Sequence, residues 1–255
     1  MDDGTQGVEG GAITGQFAVS AAARTHRGLV RRTNEDAYLV MPPMFAVADG
    51  LGGLAAGEVA SGLAIDVLAG GPQPPDPTAL VALFREASVR IRVAASEDER
   101  LTGMGTTCTA MVLSNERAEI AHVGDTRAYL VRNGTLRLLT QDHSLAQELV
   151  RVGRLSESEA AAHVSRNTLT RALGTPGELD VDRASSDLLR GDRLLLCSDG
   201  LTGSVPDDRV AMSLVGDSPG EAADRLIGLA LDAGGPDNVT VVVIDIQDPQ
   251  SRPTG

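Results

Sequence analysis

Three apolar runs each close on an acid beside a glycine: Phe45-Ala46-Val47-Ala48-Asp49-Gly50, Ala121-His122-Val123-Gly124-Asp125 and Leu194-Leu195-Leu196-Cys197-Ser198-Asp199-Gly200. A fourth acid, Asp237, stands in Gly235-Pro236-Asp237-Asn238 ahead of the last apolar run, and Glu35-Asp36 opens an earlier one. Taken singly, Asp-Gly and Gly-Asp are turn formers, and a strand has to end somewhere. Taken together, carboxylates at strand ends can converge on one edge of a sheet. There they repel, and their pKa values rise unless a cation neutralises them. Mg²⁺ and Mn²⁺ take this ligand type and fill the remaining positions with water. A neighbouring glycine lets a backbone carbonyl approach the ion as well. Two such ions about 4 Å apart activate a water and clamp an oxyanion, so the residue types point to a metal-dependent phosphate hydrolase. The segment Gly28-Leu29-Val30-Arg31-Arg32-Thr33-Asn34-Glu35-Asp36 adds guanidinium groups, which grip phosphate through paired hydrogen bonds. Alone, that segment reads as a solvated turn before a strand.

The elements that must position these acids follow from periodicity. Apolar and β-branched runs predict strands at 17–23, 36–41, 45–48, 106–113, 118–123, 128–132, 136–139, 193–197 and 239–246, with a weaker one at 179–184. A 3.6-residue period predicts helices at about 57–68, 77–95, 144–152, 156–162, 206–214 and 219–233. Strands come first, then two long helices, a strand meander, more helices and strands again. Strict β-α-β alternation is absent, which argues against a doubly wound parallel sheet and for an α+β domain of antiparallel sheets covered by helices. The Gly-rich, acidic residues 1–15 read as a disordered tail, 16–246 as one catalytic domain, and 247–255 as a polar C-terminal tail. The polar stretch at about 144–177 interrupts the pattern and reads as a surface excursion.

Composition narrows the function. The formal charge is −13, and every one of the 22 cationic residues is arginine. An acidic chain is a poor partner for nucleic acid or an anionic membrane surface. Aromatic residues make up 2% of the chain and tryptophan is absent, which disfavours a base-stacking platform. Cys108 and Cys197 fit neither zinc spacing nor a disulfide framework and read as buried thiols. No apolar stretch is long enough to span a bilayer and no secretory signal is read, so a cytoplasmic, soluble monomer is expected.

The motifs GLVRRTNEDA (28–37), FAVADGLGG (45–53), GTT (105–107), VGDTRAYL (123–130), LLLCSDGLT (194–202) and GGPDNVTVVV (234–243) occur in the order and spacing of one family. The sequence resembles the bacterial metal-dependent serine/threonine protein phosphatases of type 2C, the PPM family, over roughly residues 17–246. The resemblance implies a four-layer αββα sandwich, two antiparallel sheets flanked by helix pairs. It implies that Asp49 bridges two Mn²⁺ or Mg²⁺ ions, that the carbonyl of Gly50 binds one, and that Asp199 and Asp237 hold the other. Asp125 with Asp199 would take a third ion, and Asp36 would act on the cluster directly or through water. Arg31 would hold the substrate phosphate, with Arg32 its neighbour. Asn238 would orient its turn, and 144–177 would be a mobile flap. The implied chemistry is one-step hydrolysis of phosphoserine or phosphothreonine by a metal-bridging water, with phosphoproteins, Ser/Thr kinases among them, as partners.

Two departures stand out. Many eukaryotic relatives carry histidine directly after the metal-binding Asp-Gly, where this chain has Leu51. The leaving alkoxide must then take its proton elsewhere, from metal-bound water or from His143, while His26, His122 and His163 read as structural or exposed. Thr126 follows Gly-Asp where serine is frequent. Alternative readings are a phosphatase-like binding module that has lost catalysis, a phosphatase dedicated to one regulator phosphoprotein, and a two-metal phosphodiesterase. The first lacks support because Asp49, Asp199 and Asp237 are all present. The second usually brings attached sensor domains, and the third would recruit histidine ligands.

Overall fold

A computed structural model describes residues 4–14, 17–52, 56–72, 76–114 and 116–249. Gly53 of the second motif and the last residues of the C-terminal tail, 250–255, lie outside the described residues. Two six-stranded antiparallel sheets stack face to face. The first runs in the order β1 (Gln6–Thr14), β2 (Phe17–His26), β12 (Val239–Gln247), β11 (Arg193–Cys197), β8 (Arg127–Arg132), β9 (Thr135–Leu138). The second runs β10 (Asp182–Asp187), β7 (Arg117–Val123), β6 (Cys108–Ser114), β4 (Met44–Leu51), β3 (Asp36–Met41), with the two-residue β5 (Gly105–Thr106) paired to the end of β4.

Strands buried on both faces read as continuous apolar runs, and their alternation decides which layer each side chain fills. Phe45 and Val47 of β4, Met111 of β6, Leu194 and Leu196 of β11, and Val242 and Ile244 of β12 point between the sheets. Their neighbours Met44, Ala46 and Ala48 point outward against α1 (Ala56–Ala69) and α2 (Leu80–Glu97). On the opposite side Tyr129, Leu195, Val241 and Val243 pack on α7 (Pro219–Asp232), with α5 (Asp199–Thr202) and α6 (Asp207–Ser213) beside it. The result is the expected helix–sheet–sheet–helix layering. Helix α7 starts on a Ser218/Glu221 capping box with Pro219 in its first turn.

The structure departs from expectation in the N-terminal tail and at the weak strand. The tail expected over 1–15 is largely β1, paired residue for residue with β2 from Gln6↔Thr25 to Thr14↔Phe17. Its three glycines suppress the apolar alternation that marks a strand, and its partner supplies the register. The weak strand at 179–184 is displaced to β10, because Leu179 packs into the α1/α2 core while the polar run 182–187 pairs along β7. Between β9 and β10 the excursion carries α3 (Leu145–Arg151) and α4 (Glu157–Ala161).

Candidate active site

The antiparallel weave brings the acid-bearing ends of several strands to one end of the sandwich. Asp36 at the start of β3 is the register partner of Asp49 near the end of β4. Asp199 follows the end of β11, and Asp237 precedes the start of the neighbouring β12. Asp125 lies in the short connection between β7 and β8. Close backbone approach makes this possible. A Cβ on Gly200 would overlap the Asn238 carbonyl, so only glycine lets the Asp199 and Asp237 turns lie together. A Cβ on Gly50 would overlap the backbone of Gly57 and Glu35, and the Gly50 N–H donates to Glu35 O at 3.1 Å. The GTT segment fixes the backbone of Asp49: Thr106 Oγ1 and the Thr107 N–H both donate to its carbonyl (2.8 and 2.9 Å), and its own N–H donates to Thr107 Oγ1 at 3.2 Å.

The carboxylates act on one another. Burial pushes Asp49 well above the ordinary carboxylate range, and Asp36, Asp199, Asp125 and Asp237 each push it further. Burial also raises Asp36 to about 7 and Asp125 to about 8, with Asp199 the next cause for Asp125. Asp199 is raised by burial and Asp237, while a hydrogen bond with Asp49 works the other way. Asp36 is oriented from below. Ser198 Oγ donates to Asp36 Oδ2 at 2.8 Å and itself accepts from the Thr240 N–H at 2.9 Å. Thr240 Oγ1 meets Thr25 Oγ1 at 2.7 Å, and Asn34 Nδ2 donates to Thr25 Oγ1 at 2.8 Å. The other oxygen, Asp36 Oδ1, is buried with no hydrogen-bond partner among the described residues. An orphaned, buried carboxylate oxygen beside four further acids fits a divalent cation. Among the described residues no group of three or more acids, histidines or cysteines is arranged to hold a metal ion.

Among the described residues Arg31 is the cation that ion-pairs with an acid of the cluster. Arg31 Nη2 donates to Asp237 Oδ2 at 2.7 Å, with about half of its side chain exposed. That pair brings Arg31 to the cluster. Asn238 anchors the whole arginine loop. Its Oδ1 accepts from the Glu35 N–H (2.8 Å), and its Nδ2 donates to the carbonyls of Arg27 (2.9 Å) and Thr33 (2.8 Å). It thus orients more than its own turn.

A cleft of about 330 Å³ opens beside Asp125 and Asp199, bordered by Arg127, Asp142, Arg166 and Asn167. Arg127 forks onto Asp142 through Nε and Nη2 at 2.9 and 2.7 Å. The cysteines are both fully buried, and burial raises the Cys197 thiol to about 12. His143 is not placed to protonate a leaving group: its side chain is sealed from solvent and its ring is committed to the backbone of Gly124. His122 and His26 are buried and His163 is half-buried. Reasoning from sequence missed Ser198, Thr240 and Thr25. Hydroxyl residues in strand ends carry no signal of their own until the strands are paired.

The protein phosphatase 2C family matches residues 24–220. The serine/threonine protein phosphatase PstP of Mycobacterium tuberculosis is 43% identical over 231 residues, covering 89% of this chain and 45% of that protein. The chain therefore spans less than half the length of that relative. The serine/threonine phosphatase stp of Listeria welshimeri is 40% identical over 241 residues, covering 88% of this chain and 95% of that one. A crystal structure of the catalytic domain of PstP in complex with two manganese ions superposes with a TM-score of 0.83 at 41% identity, covering 91% of this chain and all of that one.

Proposed function

The chain belongs to the protein phosphatase 2C family, and from that premise we propose that it hydrolyses phosphoserine and phosphothreonine in proteins, opposing bacterial Ser/Thr kinases. The observation that carries the reading is the set of five mutually repelling carboxylates, with one buried oxygen of Asp36 left unpartnered and one arginine at the rim. Asp49 and the Gly50 carbonyl are the donors for a pair of Mn²⁺ or Mg²⁺ ions, Asp199 and Asp237 complete the pair, and Asp125 with Asp199 offers a third site. When bound, such ions supply Lewis-acid activation of a water and neutralise charge on the phosphoryl group.

The remaining tasks fall to the chain. Arg31, half exposed beside Asp237, would hold the substrate phosphate through the paired hydrogen bonds that a guanidinium makes best. Ser198 keeps Asp36 Oδ2 occupied, so that Oδ1 is the atom presented to the cluster. The thiols are sealed in the core, in keeping with hydrolysis that passes through no covalent phosphoenzyme. Among the described residues Leu51 and the sealed His143 leave no imidazole facing the leaving alkoxide, so its proton comes from water.

The test is hydrolysis of a phosphothreonine peptide by the purified protein with Mn²⁺, with Mg²⁺, with EDTA, and by Asp199→Asn. Turnover that needs the metal and collapses in the variant supports the reading. Equal turnover by wild type and Asp199→Asn sinks the ligand assignment. A folded protein that binds Mn²⁺ and turns over nothing points to a binding module.

A further inference from the structure

The turn that carries Asp125 is held from outside the acid cluster by a buried histidine. The side chain of His143 has 0% exposure. Its backbone N–H donates to Gly124 O at 2.7 Å, and its ring Nδ1 accepts from the Gly124 N–H at 3.1 Å. One residue thus clamps both polar groups of the glycine next to Asp125. Because Nδ1 accepts, the ring proton sits on Nε2, which faces Asp182 Oδ2 at 3.2 Å. Arg171 completes that side, donating to Asp182 Oδ1 at 2.7 Å. The clasp is reciprocal. His122, at the end of β7, donates from Nε2 to Gln141 O at 3.0 Å and accepts from the Thr109 hydroxyl at 2.8 Å. The two rings lie 4.8 Å apart.

The same histidine roots the excursion that holds α3 and α4. The Thr170 N–H donates to His143 O, and the Leu145 N–H donates to Thr168 O, both at 2.8 Å. Where the excursion returns, Leu173 and Thr106 exchange both backbone hydrogen bonds (2.8 and 3.1 Å), and Thr106 Oγ1 donates to Asp49 O. One root is therefore fastened to the carrier of Asp125 and the other to the carrier of Asp49.

We infer that His143 is a positioning residue: by clamping Gly124 it sets where the Asp125 carboxylate stands and ties that carboxylate to the root of the 144–173 excursion. The inference rests on the proposal that Asp125 is an ion ligand. Partners one shell out from a metal ligand commonly change metal affinity 10- to 100-fold when removed. A clamp on the ligand's own backbone acts in the same way, by fixing the direction from which the carboxylate reaches the ion.

The test is calorimetric titration of Mn²⁺ into the metal-stripped full chain, with melting temperatures measured in parallel. Asp125→Asn is expected to lose the weakest binding event and keep the tighter ones. His143→Ala and His143→Gln are expected to weaken that same event by about tenfold or more. His143→Asn, whose Oδ1 stands where Nδ1 does and still accepts from Gly124, should stay within about threefold of wild type. Wild-type Mn²⁺ binding in His143→Gln overturns the inference. So does a loss in His143→Asn as large as that in His143→Gln while the protein still melts as wild type. Should His143→Ala fail to fold, the Asn and Gln variants decide the matter between them. If Asp125→Asn binds Mn²⁺ as wild type does, the ligand assignment itself has failed, and the clamp has nothing to position.

Discussion

Two buried polar regions sit side by side at one end of the sandwich and are built on opposite principles. In the histidine clasp every hydrogen-bonding side chain meets a complement: His122 has Thr109 and Gln141, His143 has Gly124 and Asp182, and Asp182 has Arg171. In the acid cluster Asp36, Asp125, Asp199 and Asp237 all act on Asp49, with Arg31 ion-paired to Asp237 and Asp36 Oδ1 unpaired. Burying a polar group without a partner costs on the order of 1–3 kcal/mol, and burying an unpaired charge costs more. The clasp meets that cost by internal pairing and so serves the fold. The cluster leaves it unmet within the chain, which is the cost that the proposed cations would offset. Complementarity within the chain marks a structural region, and its absence marks the place where something else must bind.

The largest effect that could break this contrast comes from Asp199→Asn. Turnover with Mn²⁺ is expected to fall by about 10³-fold or more, on the order of 4 kcal/mol of transition-state stabilisation. In EDTA the same variant should melt at or above the wild-type temperature, because one repelling charge is gone. A calorimetric scan beside a phosphopeptide assay checks both halves. A variant that loses stability together with activity would make Asp199 part of the scaffold and erase the distinction.

Arg31→Ala comes next. It removes the cation proposed for the phosphate, so kcat/KM should drop about 10²-fold, about 3 kcal/mol. Mn²⁺ affinity should hold or improve, since Asp237 loses a competitor for its carboxylate. Arg32→Ala should change little. Steady-state kinetics with calorimetric metal titration separates the two arginines.

Asp49, Asp125 and Asp199 were legible in the sequence because each sits in a strong local signal, a strand end beside glycine. The layers were legible because the runs around Phe45, Leu194 and Val241 are too apolar for anything but a doubly covered strand. Strand β1 was not, because what makes Gln6–Thr14 a strand is its ladder to β2 and not its own composition. His143 could be singled out by type but not by role. Its partner Gly124 is 19 residues away, and a hydrogen bond to a backbone leaves no trace in side-chain spacing. The same holds for Asn238, which ties down the loop of Arg31 from more than 200 positions away.

Acidity should pull the two regions in opposite directions. His122 is driven down to about 4 by burial, with His143 the next cause. Its folded-state pKa lies below the unfolded value of about 6.5. The unfolded chain therefore takes up its proton first, and stability is lost as the pH falls from about 6.5 towards 4, by on the order of 3 kcal/mol. Asp36 and Asp125 are shifted upward, to about 7 and about 8. Metal-stripped protein should therefore gain stability from them as the pH falls through 8 and 7 towards 4, since the folded state binds those protons first. Two acids take up protons against one imidazole, so stability in denaturant melts in EDTA at pH 8, 6.5, 5 and 4 should rise as the pH falls, and less steeply below about 6.5. Saturating Mn²⁺ should remove the rise and leave the loss from His122. His122→Asn, which keeps an acceptor for Thr109 but does not titrate, should restore the full slope below about 6.5.

The smallest expected effect lies where the two principles meet in a single carboxylate. Asp36 has one oxygen paired, through Ser198, and one left for the cluster. Ser198→Ala removes the donor to Oδ2 and also strips the Thr240 N–H of its acceptor. Two buried groups then lack partners, and stability should fall by about 1–3 kcal/mol. With Oδ2 released the carboxylate can rotate, so Oδ1 no longer has a fixed direction, and activity at limiting Mn²⁺ should drop by about tenfold. Ser198→Thr keeps the hydroxyl and should recover most of that activity. If activity at limiting Mn²⁺ is unchanged in Ser198→Ala while stability falls, the hydroxyl belongs to the structural region alone, and the boundary between the two regions runs between Ser198 and Asp36. If both fall together and Ser198→Thr restores both, the boundary runs through the carboxylate itself, one oxygen on each side.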